Sequence, residues 1–232
     1  MAHPPLEAIV FDLDDTLVPS TLAYAAALTQ VAVPPQSAEY LRARAAVKSR
    51  LGEHHPSAHN RLLYFKELLG QRGDASPTAV LALMHGYEQA LLAQLRAAWL
   101  RLGREPLLGA LGRTLRLGLL SNENLRTQLL KMTVIDPDGK LFSAFVTSEE
   151  LGVEKPDRAP FAEVLRRLGV APEACAMVGD SARADIEPAL ALGMRAVLTT
   201  EFAVPTHVPS GCQVIARLSD LPASLDLPCG PV

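Results

Sequence analysis

A doubly wound α/β fold, a parallel sheet with helices on both faces and an all-helical insertion after its first strand, is predicted by three features of this 232-residue chain. From Pro106 onward, apolar runs of strand length alternate with helix-like stretches, the pattern of parallel strands joined by crossover helices. Before them stands one isolated strand-like run, Ile9-Val10-Phe11, followed by a long segment without strands. Finally, the polar residues suited to chemistry follow directly on the apolar runs, where ligands bind in sheets of this kind.

The first run is β-branched and apolar, and it empties into Asp12, Leu13, Asp14, Asp15 and Thr16. Three carboxylates so close together repel one another, a cost that a cation or a reaction can offset. From about Pro19 to Leu102 alanine, leucine, arginine and glutamate dominate. "TLAYAAALTQ", "SAEYLRARAAVKSR", "HNRLLYFKELLG" and "PTAVLALMHGYEQALLAQLRAAWLRL" carry apolar residues at helical spacing, and "VAVPPQ" and "EHHPSA" break them. The division is a core domain of residues 1–18 and 104–232 and a helical cap of residues 19–103. After Pro106 come the strand "RLGLLS", a helix from about Asn122 to Met132, the strand "AFVTS", a helix from about Pro156 to Leu168, the strand "CAMVGD", a helix from about Ala182 to Leu192, and the strands "RAVLTT" and "CQVIA". The proline-bearing tail "DLPASLDLPCGPV" reads as a loosely held terminus.

Composition excludes several functions. A hydrophobic content of 49% supports a buried core, and a net charge of -3 with interspersed signs offers no basic block for nucleic acid or anionic lipid. Cys175, Cys212 and Cys229 form neither a disulfide framework nor a Cys-x-x-Cys pair, which fits a reducing cytoplasm. "MAHPPLEAIV" lacks the pattern of a leader, and "LAYAAALTQVAV" is too short to span a bilayer. Neither GxGxxG nor a P-loop occurs. "DPDG" at Asp136 to Gly139 reads as a turn, not a calcium loop. In "EHHPSAHN", Pro56 denies His54, His55 and His59 a shared helical face, so a cap loop is favoured over a zinc site.

At the strand ends stand Asp12 and Asp14, then Ser121 and Asn122, then Asp180 with Ser181 and Asp185, while "GVEKPD" places Lys155 at the mouth of a helix. These residues suit phosphate ester chemistry. A carboxylate can attack phosphorus, a carboxyl two residues on faces the same side of an extended chain and can protonate the leaving oxygen, and a fixed cation offsets the charge of the phosphate. All-oxygen ligands suit magnesium better than zinc.

In "DLDDTL", "LLSN", "VEKPD" and "VGDSARADIEPALALGM", in that order, the chain resembles the haloacid dehalogenase-like hydrolases, over nearly its whole length and with the helical insert where members with a small helical cap carry it. The resemblance implies a magnesium-dependent phosphatase of a small soluble phosphorylated metabolite. It makes Asp12 the nucleophile, Asp14 the general acid and base, and Ser121, Asn122 and Lys155 the phosphate ligands. It also implies that Asp12, Asp14 and Asp180 hold the magnesium, with Thr16 and Asp185 supporting them. His55, His59, Arg61 and Lys66 are the cap candidates for reading the leaving group. The rivals are a phosphomutase or 2-haloacid dehalogenase of the same superfamily and, from another class, a phospho-aspartate signalling or interaction module. Asp14 argues against the dehalogenase, because carbon–halogen cleavage needs no proton donor. The large insert argues against the signalling module.

Overall fold

The computed structural model describes residues 4–52 and 54–227. Cys229, the end of the tail and the first residues of the N-terminal stretch lie outside them. The chain begins with β1 (Ala8–Phe11) and then gives four long helices: α1 (Ser20–Gln30), α2 (Ala38–Leu51), α3 (Arg61–Gln71) and α4 (Pro77–Leu102). It returns through α5 (Glu105–Gly112), β2 (Arg116–Ser121), α6 (Leu125–Ile135), β3 (Ala144–Thr147), α7 (Ser148–Leu151) and α8 (Arg158–Leu168). The last elements are β4 (Cys175–Gly179), a π-helical turn at Ala182–Ile186 running into α9 (Glu187–Ala191), β5 (Arg195–Thr199), β6 (Gln213–Ile215) and α10 (Leu221–Ser224).

Six strands form one sheet in the order β3-β2-β1-β4-β5-β6, every pairing parallel. The predicted fold class is therefore the observed one. The order reverses about β1, which has β2 on one side and β4 on the other, so the loops after β1, β2 and β4 meet where a doubly wound sheet opens a ligand crevice. Alternation along β1 sends Ile9 and Phe11 into one apolar core and Ala8 and Val10 into the other. The second core holds Phe161, Val164 and Leu168 of α8, which lies so close over β2 that a Cβ at Gly118 would come 3.0 Å from Leu168. The first core is continuous with the helices of the insert, through Phe65, Leu68, Tyr87, Leu91 and Trp99.

Three boundaries differ from the sequence expectation. The helix expected from Pro156 begins at Arg158, because the Asp157 side chain caps it by accepting a hydrogen bond from Ala159 N at 2.8 Å. The helix expected from Asn122 begins at Leu125, where Asn124 plays the same part for Thr127 N. The tail is held as far as Leu227: Leu221 and Leu225 are buried in the first core. Among the described residues no helix is long and apolar enough to cross a membrane.

The two chain crossings into the insert are tied together. Arg104, just beyond the left-handed Gly103 that ends α4, donates to the Thr16 carbonyl at 3.1 Å and pairs with Glu201 at 2.9 Å. The insert meets the rest of the chain again at Glu154, whose carboxylate oxygens lie 2.9 Å from His54 Nδ1 and 3.1 Å from His59 Nε2.

Candidate active site

The three carboxylates after β1 take three directions. Asp15, in the left-handed region at φ 55°, turns its side chain to the start of α1, where Oδ1 accepts from Thr21 N at 3.0 Å. That serves a helix end that Pro19 cannot cap. Asp12 and Asp14 remain for the crevice.

Asp12 is buried at the end of β1, and its Oδ1 accepts from Lys155 Nζ at 2.6 Å. The same ammonium donates to Asp185 Oδ1 at 2.6 Å and to the Leu120 carbonyl at 2.9 Å, so all three of its protons have acceptors. Asn122 fixes this lysine from behind. Its amide donates to the Lys155 carbonyl and accepts from Lys155 N, each at 2.7 Å. Asn122, expected at the phosphate, therefore has its side chain engaged with the backbone of the residue that carries the cation. Gly179 lets Asp185 approach, since a Cβ there would overlap the Asp185 carboxylate.

Asp12, Asp180 and Asp185 offer ligand oxygens within 4.8 Å of one another. The expected metal set named Asp14 in place of Asp185. The Asp14 side chain is instead drawn to the buried ammonium of Lys131, while Asp185 is carried into the cluster by the turn after β4. The Thr16 hydroxyl lies 3.4 Å from Asp180 Oδ1. Three carboxylates facing one ammonium leave an excess of negative charge. Burial, and then the neighbouring Asp185 and Asp15 charges, push Asp180 up to about 7, and burial with three like charges outweighs Lys155 in raising Asp12. An all-oxygen cluster short of positive charge fits a hard divalent cation.

This excess predicts a pH-dependent stability in chelator. With Asp180 raised to about 7, the folded protein holds a proton that the unfolded chain has already released. Stability therefore falls as pH rises from about 4 to about 7, and levels off above. Thermal unfolding of wild type and Asp180→Asn across that window is the measurement, with the variant expected to show a shallower slope. Parallel profiles would mean that Asp180 titrates as an ordinary exposed carboxylate. Asp14 works with the opposite sign: burial alone would raise it, but the Lys131 charge and hydrogen bond hold it well below the usual carboxylate range, so its contribution is lost only in stronger acid.

Ser121, at the end of β2, accepts from Gln128 Nε2 at 2.6 Å, and the other proton of that amide goes to Asp14 Oδ2, also at 2.6 Å. Tyr24 of α1 brings the insert into this network, with its hydroxyl 3.1 Å from Asp14 Oδ1 and 3.2 Å from Glu123 Oε2. Arg61 closes the chain of contacts: it donates to Glu123 at 2.6 Å, and its guanidinium lies 3.6 Å from the Tyr24 ring centroid. Lys131, Gln128, Tyr24 and Glu123 went unread in the sequence.

A cavity of about 600 Å³ lies between this floor and the helices above. Of the cap candidates, His59 and Arg61 line it, but the first is engaged with Glu154 and the second with Glu123. His55 caps the short 3-10 turn at Pro56–His59, Lys66 is exposed, and neither lines the cavity. Arg44 does line it, beside Tyr40 and Gln36, and it has no carboxylate partner among the described residues.

The chain is similar to known proteins. Over 200 residues the chain is 31% identical to a glyceraldehyde 3-phosphate phosphatase of Methanothermobacter thermautotrophicus, covering 83% of this chain and 85% of that one. It is 32% identical over 203 residues to a ribulose-1,5-bisphosphate 5-phosphatase of Halopiger xanaduensis, covering 82% and 83%. A 2-haloacid dehalogenase of Pseudomonas syringae pv. Tomato shares the fold, with a TM-score of 0.73 at 24% identity over 95% of this chain and 98% of that one. Residues 6–193 match the family model of the haloacid dehalogenase-like hydrolases, and the chain belongs to that family of enzymes.

Proposed function

We propose that the protein is a magnesium-dependent phosphatase of small phosphate monoesters that works through an aspartyl phosphate on Asp12. The observation that carries the reading is the placement of Asp14 beside Asp12 in one cavity, an acid and base that a phosphatase needs and a dehalogenase does not. Relatives named as phosphatases support it.

An Asp12 oxygen attacks phosphorus as the bond to the ester oxygen breaks, and the Asp14 carboxyl gives that oxygen its proton, so the alcohol leaves neutral. Asp14 is ionised in this structure; the arrival of a phosphate dianion beside it raises its proton affinity by like-charge repulsion. Water then attacks the acyl phosphate, Asp14 takes its proton, and inorganic phosphate leaves. Ser121 offers a donor to the phosphoryl oxygens, and Lys155, whose protons are already accepted, sets its positive charge against them. Asp12, Asp180 and Asp185 would hold magnesium, which when bound would supply positive charge against the transferring phosphoryl group. Asn122 works through Lys155, whose backbone it holds. For the leaving group, Arg44 is the cavity cation without a carboxylate partner among the described residues. In these terms the core is residues 1–18 and 104–232 and the cap is residues 19–103.

The test is phosphate release from a panel of alkyl and aryl phosphates, with magnesium and with chelator, beside halide release from 2-haloacids. Phosphate release that requires magnesium, with no halide release, is expected. Halide release equal to or faster than phosphate release would transfer the assignment to the dehalogenase branch.

A further inference from the structure

Lys131 is fully buried, with no exposed surface, on the face of α6 that also carries Gln128. Taking an ammonium completely out of water is costly unless a partner and a full set of hydrogen bonds meet it. The partner here is Asp14. Lys131 Nζ donates to Asp14 Oδ1 and to the Tyr24 hydroxyl, the latter at 2.5 Å, and it lies 4.8 Å from the Tyr24 ring centroid. Gln128, one turn earlier, holds the other oxygen, Asp14 Oδ2. Both Asp14 oxygens are thus fixed from the α6 side. Lys131 hydrogen-bonds to none of Asp12, Asp180, Asp185 and Ser121, so its influence on those groups runs through Asp14, whereas Gln128 also donates to Ser121 Oγ at 2.6 Å.

We infer that Lys131, together with Gln128, is a positioning residue for Asp14, holding its carboxyl group where it can meet the leaving oxygen. The inference rests on the acid–base role given to Asp14 above. The proton that moves is the one on the Asp14 carboxyl: it passes to the ester oxygen as the phosphorus–oxygen bond breaks, and the carboxylate left behind later receives one from water. Lys131 keeps all of its protons throughout. A lysine that only anchored α6 would affect every substrate alike; one that aims a proton donor matters only where a proton is needed.

The leaving group separates these two roles. An alkoxide cannot depart from phosphorus without a proton, whereas p-nitrophenolate can. The quantity to compare is kcat/KM, which includes only the steps up to departure of the leaving group. It is measured for the alkyl phosphate hydrolysed fastest in the panel above and for p-nitrophenyl phosphate. For Lys131→Met the alkyl ester is expected to slow by about a hundredfold and the aryl ester by less than about threefold. Lys131→Arg should recover part of the loss, and Asp14→Asn should show the same selectivity in stronger form. Equal losses on both esters would overturn the inference and assign Lys131 to the architecture alone.

If Lys131→Met does not fold, as judged by its thermal unfolding, Gln128→Met provides the same test without burying an unpaired charge. Because Gln128 also holds Ser121, a small loss common to both esters is expected, with a clearly larger one on the alkyl ester, and equal losses on both overturn the inference. Wild type that hydrolyses neither ester removes the phosphatase reading and this inference with it. Alkyl turnover undiminished in Asp14→Asn removes the acid–base role on which the inference rests. Selectivity in Asp14→Asn but not in Lys131→Met or Gln128→Met removes the inference alone.

Discussion

Asp12→Asn is expected to lower phosphate release by on the order of 10⁴-fold or more while leaving the protein at least as stable as wild type. The side chains have nearly the same shape, but an amide is a poor nucleophile toward phosphorus. Stability should hold because Asp12 is one of three carboxylates packed around a single ammonium and is itself pushed toward protonation. After the change Lys155 still has Asp185 and the Leu120 carbonyl as acceptors. Turnover and a urea unfolding curve on the same sample check both halves. Activity within about tenfold of wild type would end the nucleophile assignment, since removal of a covalent nucleophile costs far more.

Lys155→Met should harm both stability and turnover. Methionine approximates the length of the lysine stem but leaves Asp12 and Asp185, both buried, facing each other without the cation between them. Breaking a buried pair in this way costs about 3–5 kcal/mol, and loss of the fixed positive charge beside the phosphoryl group lowers turnover by on the order of 10²–10³-fold. Because the damage is uncompensated negative charge, adding Asp12→Asn to Lys155→Met should restore part of the stability and none of the activity. Urea midpoints for wild type, both single variants and the double variant are the measurement. A midpoint for Lys155→Met equal to that of wild type would mean that the three-way ion pair has no net worth.

How much of this was legible in the sequence depended on the range of the contact. Strands and strand ends are local features, so β1, β2 and β4 and the residues that follow them, Asp12, Ser121 and Asp180, could be read from apolar runs and what interrupts them. The crevice followed, because a parallel sheet gathers those ends. Asp185 was read in a supporting role and does accept from Lys155, but its closeness to Asp12 and Asp180 was not legible because the π-helical turn that swings it there has no local signature. The surroundings of Asp14 were missed for a different reason. "LRTQLLKM" reads as an ordinary amphipathic helix with its polar face in solvent, yet Asn124, Gln128, Lys131 and Ile135 are all buried and recur at helical spacing. Polar residues on the stripe that a core-facing helix should keep apolar were the available signal, but only the fold shows which carboxylate they serve. Arg61 and His59 were chosen as polar groups in an apolar run, and each proved to be paired with a carboxylate distant in sequence, Glu123 and Glu154. Single-residue chemistry does not reveal that a cap side chain already has a partner.

The position of the insert also sets the order in which the molecule can be assembled. β1 is the first strand made, but its register partners are Arg116 to Leu119 on one side and Cys175 to Val178 on the other. On a growing chain Asp12 therefore waits through the synthesis of five helices before its strand gains one neighbour, and through β3 and three further helices before it gains the second. Contacts this distant in sequence make for slow folding. Meanwhile the apolar stretch Ala8–Phe11, fully buried at the end, has an unpaired edge on both sides. The acidic run that follows it lies where a charge best discourages two such strands from pairing with each other. The carboxylates gathered at the crevice of the folded enzyme thus also stand where charge discourages such pairing in the chain that has not yet formed it.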